Sequence, residues 1–376
     1  MKKKIAIIGA GIAGLTLARF LKNNSNFEFI IYEKENNINL QEGFGIQLST
    51  NSISILNKIG FEQLNKSEKY NPFKLDFYTI NSKKICDLDL TTFNSANRKY
   101  TTLKRSTLIR FLKDNLFSNS IIFCKKLHSI NIINEKININ FADETKDAVD
   151  YLIVSDGVFS KTKSLIENKT FKPKFNGSVA IRAEIRTQDV NDFNRNNISL
   201  MMGSNAHLVL YPVNQNKEIN LVSVIRKKSE NCEDIKAILD STILKQNKNL
   251  ANFFKEGLSS WPIYVSRKPI KSIHRNVFYI GDAFYTFAPT MAQGASQAIE
   301  SAYEIFNLIK DNNSDIQNTY MNNRIKRTNL IIKRSKFNYF VFHISNLILK
   351  IFRNKILKIL VKNKNFIRSY LGKIYK

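Results

Sequence analysis

Cysteine is scarce in this chain, and acid is scarce in one part of it. Cys86, Cys124 and Cys232 are the only three cysteines, 38 and 108 positions apart with no Cys-x-x-Cys. That spacing indicates neither a disulfide framework nor a cysteine zinc site, leaves no metal centre to expect, and suits a reducing cytoplasm. No stretch reaches 18 uninterrupted apolar residues, so no membrane span is predicted. Lys2, Lys3 and Lys4 before an apolar run imitate a signal peptide, but Gly9, Gly11 and Gly14 interrupt that run at spacings with their own explanation. Acid is missing from residues 324–376, which carry 15 Lys and Arg and no Asp or Glu, out of a net charge of +27 for the whole chain. The preceding 323 residues therefore hold only +12, and with Asn, Ile and Lys abundant throughout, bulk basicity is weak ground for a nucleic-acid partner, which is not expected.

What is present is enough to fold. The 376 residues suggest two or three domains at about 150 residues each, which excludes fibrous and mini-protein readings. A content of 43% hydrophobic and 11% aromatic residues excludes general disorder. No internal repeat is apparent.

Residues 5–8 form a short apolar run fit for a strand buried on both faces, followed at once by Gly9-Ala-Gly11-Ile-Ala-Gly14 and an apolar-periodic stretch over 15–21. This reads as strand, glycine turn, helix. Gly9 permits the tight turn, Gly11 lets a pyrophosphate approach the backbone, and Gly14 lets helix and strand pack closely. The helix N-terminus offers free N–H groups and about half a positive charge to the phosphates. A second strand over 27–32 ends at Glu33, 24 residues after Gly9, where a carboxylate can accept hydrogen bonds from a ribose 2′-hydroxyl. Taken together the unit predicts dinucleotide binding, with FAD and NAD(P) both open at this point.

Residues 277–302 are the most informative stretch. They read as a buried strand, Gly281-Asp282 at its end, a turn at Pro289, and a small-residue helix start through Ala292, Gly294 and Ala295. An Asp at a strand's carboxyl end can bind a sugar-like polyol, and a helix opening with Gly294 can bring N–H groups to a ring carbonyl that gains negative charge. Both features suit a flavin.

On these residues the chain resembles the group A FAD-dependent aromatic monooxygenases, the family of para-hydroxybenzoate and salicylate hydroxylases. The resemblance covers most of the chain. Glu42-Gly-Phe-Gly45-Ile-Gln-Leu-Ser-Thr-Asn51 is similar to the family's glycine-rich segment, and Leu103-Lys-Arg105-Ser-Thr-Leu108 resembles its flavin-contacting Arg motif, which implies Gly45 and Arg105 at the cofactor. Asp150-Tyr-Leu-Ile-Val-Ser-Asp156-Gly157 resembles the Asp-Gly motif linked to FAD and NAD(P)H. Gly203-Ser-Asn-Ala-His207-Leu-Val-Leu-Tyr211-Pro212, with Asn220-Leu-Val-Ser-Val, Trp261-Pro262 and Arg267-Lys-Pro269, is similar to the salicylate-hydroxylase branch. The chain departs from the family pattern at Val154-Ser155, Lys163, Phe284-Tyr285 and Ser301, which stand where Gly-Ala, Arg, a His and an Asp are usual.

The resemblance implies a Rossmann-type α/β FAD-binding domain interleaved with a mostly antiparallel β-sheet substrate domain, plus a C-terminal helical tail. Strand-like patterns over 73–80, 84–90, 179–185, 208–213 and 219–225 fit that sheet. Boundaries are expected at 1–72, 98–172 and 268–325 for the FAD domain, 73–97 and 173–267 for the substrate domain, and 326–376 for the tail. The implied reaction uses NADH or NADPH and O2 to hydroxylate a small aromatic or related cyclic substrate through a flavin hydroperoxide. Two other functions stay open: a flavin-dependent reductase or monooxygenase acting on a membrane-borne isoprenoid or quinone-type substrate, and a non-catalytic flavin-binding protein.

Of four histidines, His207 begins an apolar strand pattern and shares a strand face with Tyr211, four positions on. Both are catalytic candidates; a histidine satisfied within the sheet and an ordinary packed tyrosine are the alternatives. Arg182 is a candidate to pair with an acidic substrate, since guanidinium grips carboxylate in two-pronged geometry, with a sheet-edge charge as the alternative. Tyr211 and the turn residue Pro289 are expected with it at the substrate. Over 337–370 the tail interleaves Ile, Leu and Phe with Lys and Arg at helical spacings. It can pack on the body, lie on a membrane surface, or bind another protein.

Overall fold

Residues 5–8 carry no polar side chain, and such a run is stable as a strand only where both of its faces are covered. In the computed structural model, which describes residues 2–40, 44–133, 135–190, 193–255 and 257–375, Lys3–Ile8 is the central strand of five. Tyr151–Val154 and then Val277–Tyr279 lie on one side, Phe27–Tyr32 and then Ile121–Ile122 on the other, all parallel. Ile12–Lys22 and Gly294–Lys310 pack together on this sheet, and Ile5, Ala6, Ile7, Leu15 and Ile299 are fully buried between them.

A second, seven-stranded sheet runs Ser259–Val265, Lys174–Arg186, Glu218–Arg226, Ala206–Val213, Ile198–Met202, Lys74–Thr79, Lys84–Asp89. Neighbours are antiparallel except Ile198–Met202 beside Lys74–Thr79, which pair in parallel. Parallel neighbours require a long crossover, and here the chain passes through the nucleotide sheet between the two strands. A small sheet of Gly45–Leu48, Thr101–Lys104 and Lys69–Tyr70 joins the layers.

The tail packs on the body. Helix Ile316–Phe342 is followed by Leu347–Leu360 and a short C-terminal run whose Ile367, Leu371, Ile374 and Tyr375 are buried against Tyr100, Phe93 and Leu88. Its anchor is ionic. Glu300 accepts from Arg327 Nε at 2.8 Å and Nη2 at 2.5 Å and from Asn51, while Arg324 lies 3.4 Å from both Glu300 and Glu304. Desolvation acts to raise the Glu300 carboxyl, but Arg327 and Arg324 outweigh it and hold it below its ordinary range. Breaking a buried pair from one side leaves uncompensated charge. Glu300→Gln is therefore expected to cost about 3 kcal/mol in denaturant unfolding and to expose the tail to proteolysis. No helix among the described residues is long and apolar enough to cross a membrane.

Candidate cofactor and substrate site

The two ends of a dinucleotide would meet two different kinds of glycine. Gly9 adopts φ +101°, and a Cβ there would sit 2.9 Å from the Ser155 carbonyl oxygen. Gly14 is under pressure from inside the fold: a Cβ would lie 2.2 Å from Gly9 O and 2.7 Å from Ser155 Oγ. Gly11, immediately before Ile12–Lys22, has no atom within 4 Å of its would-be Cβ. Its openness faces the helix N-terminus, where an anion binds best. Beside it Glu33 Oε2 accepts from Ala10 N at 2.7 Å and Oε1 from Glu35 N at 3.1 Å, which fixes the carboxylate at the turn. Asp156 Oδ1 is buried without a hydrogen-bond partner, and burial raises that carboxyl. Glu42 and Gly43 of the glycine-rich segment lie outside the described residues.

At the other end Gly281 takes φ +59°, and its N–H donates to Ser301 Oγ at 2.9 Å. Lys163, buried, donates from Nζ to Ala283 O at 2.8 Å. Two residues that depart from the family pattern thus brace one loop. Asp282, on that loop, lines a cavity, and desolvation pushes its carboxyl up to about 6 against the opposing charge of Arg105. Arg105 is exposed at the start of helix Arg105–Asp114, and its N–H donates to Phe44 O at 3.0 Å. Ala292 sits at φ +50°, and the Gly294–Lys310 helix opens with Gly294 exposed and unobstructed and Ala295 half-buried. Pro289 starts a single turn just before, with its ring exposed.

These residues fit FAD. Open glycine faces at Gly11 and Gly294, the unpartnered Asp156 oxygen and the desolvated Asp282 carboxyl are what a pyrophosphate, a polyol chain and a ring carbonyl would engage. Asp282 also carries a pH prediction. A raised carboxyl favours the neutral form, so its contribution to the stability of the unliganded fold is present below the ordinary carboxylate range and lost as pH rises through about 6. Hydroxyl donors favour the ionised form, so FAD affinity is expected to rise about tenfold from about pH 5 to about pH 7. Flavin fluorescence titrations should show that rise flattened in Asp282→Asn.

Between the seven-stranded sheet, the 282–295 segment and the tail lies a cavity of about 1040 Å³. Arg182, on Lys174–Arg186, stacks its guanidinium 4.4 Å over the Trp261 ring and 5.4 Å from Phe44. Its Nε is buried without a partner, and desolvation lowers its pKa. Tyr211 is buried and donates from its hydroxyl to Gly45 O at 2.5 Å, while Gly45 N donates to Asn220 Oδ1 at 2.6 Å. Burial pushes the phenol up. A Cβ at Gly45 would stand 2.7 Å from Asn220 and 2.8 Å from the Tyr211 ring, so the three residues form one close-packed joint between sheet and cofactor segment.

His207 is 2% exposed, with Nδ1 2.8 Å from His343 Nε2 and Phe342 edge-on at 5.3 Å. Burial, then the neighbouring His343, drives its pKa well down, so it is a neutral imidazole. His343 comes from the tail, 136 residues away, and a strand's periodicity carries no signal of such a partner. The sequence reading also missed the tail's share of the cavity wall, including Phe337, Phe352 and Tyr370. The available signal was the run of Phe, Ile and Leu beyond residue 336.

The family model described as "FAD binding domain" matches residues 2–335. A 3-amino-4-hydroxybenzoate 2-monooxygenase from Streptomyces platensis is 23% identical over 359 residues, 91% of this chain and 89% of that protein. A 6-hydroxynicotinate 3-monooxygenase from Bordetella bronchiseptica is 24% identical over 315 residues, 80% of this chain and 81% of that one. Among solved structures, HpxO of Klebsiella pneumoniae complexed with FAD and uric acid superposes with a TM-score of 0.84 at 18% identity, covering 99% of this chain and 96% of the other. With its glycine turn, Asp-Gly loop and cavity in place, this chain belongs to the FAD-binding domain family of the group A flavin-dependent monooxygenases.

Proposed function

We propose that this protein uses NADH or NADPH and O2 to hydroxylate a small aromatic or related cyclic substrate bearing an anionic or phenolic group. One observation carries the reading: an Arg182 guanidinium with an unpartnered Nε, laid on Trp261 at 4.4 Å, faces a largely apolar cavity bordered by the cofactor loop. FAD, when bound, supplies electron transfer from the nicotinamide and oxygen transfer to the substrate.

The chain's own residues do the rest. The Gly11 helix end would hold the pyrophosphate and Glu33 the ribose, while Asp156 and Asp282 would accept from the cofactor's hydroxyls. N–H groups at the Gly294 helix start would donate to the ring carbonyl. Arg182 fixes the substrate's acidic substituent, with Trp261 and Phe44 holding the guanidinium flat. Tyr211 is a positioning residue, because its proton is committed to Gly45 O. His207 lines the cavity and ties the sheet to the tail through His343, and its lowered pKa makes it a weak base. The buried tail side chains Leu371 and Tyr375, which line the cavity, would keep water from the reacting ring.

A second reading, in which the substrate is membrane-borne, isoprenoid or quinone-like, is favoured by the apolar tail residues that line the cavity. The test is anaerobic reduction by NADH and NADPH with a panel of phenolic and heteroaromatic acids. Substrate-accelerated bleaching of a bound flavin is expected. A colourless protein that no added FAD reconstitutes would overturn the reading.

A further inference from the structure

Helix Leu347–Leu360 packs Leu357 on the core but turns most of its apolar side chains outward. Its Arg353 is 7% exposed, with guanidinium nitrogens donating to Val341 O and Asn354 Oδ1, while Leu347 is 74%, Ile348 64%, Ile351 58%, Phe352 58% and Ile359 68% exposed. Soluble proteins bury the apolar stripe of a surface helix and turn its charges outward, and a contiguous exposed apolar patch marks an interaction surface. Ile348, Phe352, Ile356 and Ile359 follow at spacings of four, four and three, which places them on one helix face.

Along this helix and the segment that follows it the charge has a single sign. Lys355, Lys358, Lys362, Lys364 and Arg368 are exposed, and no acid occurs anywhere in 324–376. A second copy of the same face would set these cations against their own kind, so self-association is disfavoured by charge. An apolar stripe rimmed by lysines matches the boundary between acyl chains and anionic headgroups, where such helices bury their apolar side about 5–10 Å deep.

The exposed face is continuous with the cavity. Phe337, Phe340, Leu349, Phe352 and Ile356 are each about half exposed, at 53%, 57%, 49%, 58% and 51%, and all five also line the cavity that Arg182 faces. A doorway of this kind is apolar on the side that meets solvent.

We propose that Leu347–Leu360 docks this protein on an anionic membrane surface and that the cavity receives its substrate, an aromatic ring with a long apolar chain, directly from the bilayer. The substrate half rests on the second reading above, a monooxygenase with a membrane-borne substrate; the docking half does not.

The test uses the full-length, flavin-loaded protein in flotation with phosphatidylcholine vesicles, with and without phosphatidylglycerol. The protein should float with the anionic vesicles and stay behind with the neutral ones. Leu347→Ser/Ile351→Ser/Ile359→Ser, none of which lines the cavity, and Lys355→Glu/Lys358→Glu/Lys362→Glu should each lower the bound fraction about tenfold. Unchanged flavin absorbance in each variant shows that it has folded. A wild-type protein that stays in the aqueous fraction, or variants that float equally, overturns docking.

In the second arm, NAD(P)H oxidation is followed with a long-chain alkylphenol dissolved in the vesicles and with a short-chain phenol in solution. Acceleration by the long-chain phenol in wild type, lost in both variants, supports delivery from the bilayer. Acceleration by the short-chain phenol alone overturns the substrate half. Flotation with no NAD(P)H oxidation under any condition supports docking and overturns the enzymatic reading.

Discussion

Gly14→Ala is expected to yield a protein that unfolds more readily and holds no flavin. The added carbon would lie 2.2 Å from Gly9 O, 2.7 Å from Ser155 Oγ and 3.1 Å from Ile7 Cγ2. The closest of these is backbone, so the helix must move off the strand. Overpacking of this kind costs about 1–3 kcal/mol and displaces the N–H groups that meet the pyrophosphate. Gly11→Ala separates the two effects. Nothing lies within 4 Å of its added carbon, so thermal unfolding without FAD should match wild type while FAD affinity falls at least about a hundredfold. The pair is read by melting curves of the unliganded proteins and by flavin titration. Full affinity in Gly11→Ala would remove the pyrophosphate from this turn.

Arg182→Met carries the second large effect. The guanidinium is desolvated, lies over the Trp261 ring with the Phe44 ring beside it, and makes no ion pair with a protein carboxylate among the described residues. A buried cation without a counter-ion is costly, and an anionic substrate group would offset that cost. Losing a charge-assisted, two-pronged contact is worth about 3 kcal/mol, or roughly a hundredfold in KM for an acidic ring, with kcat little changed because the contact is the same in ground and transition states. Arg182→Lys should not restore it, since an ammonium lacks the planar fork. Flavin absorbance should be unaltered in both. Equal KM values for acidic substrates in wild type and Arg182→Met would place the anion elsewhere.

What could be read from the sequence follows the range of each physical constraint. The Gly9–Gly14 turn, Glu33 and the Gly281-Asp282 loop were legible because each is a local requirement: a positive φ, a close approach, a strand end. The second sheet was legible as strands, but the parallel pairing of Ile198–Met202 with Lys74–Thr79 was not, because no short-range pattern encodes a crossover. His207 looked like a candidate base on strand periodicity alone; its role depends on His343, which reaches it only through tertiary packing. Tyr211 similarly meets Gly45 across 166 residues. In the tail, composition revealed amphipathic helices without saying which face turns inward. Arg353 buried beneath exposed Ile351 and Phe352 reverses the usual assignment.

The central claim is that the chain inserts one oxygen atom of O2 into an aromatic or related cyclic substrate at the expense of NAD(P)H. The most direct measurement runs the flavin-loaded protein under isotopically labelled dioxygen with the panel member that best accelerates flavin bleaching, and weighs the product. The account predicts one labelled oxygen in the product for each NAD(P)H consumed in coupled turnover. A product that gains hydrogen but no label, formed equally well without dioxygen, would make the protein a reductase and contradict it.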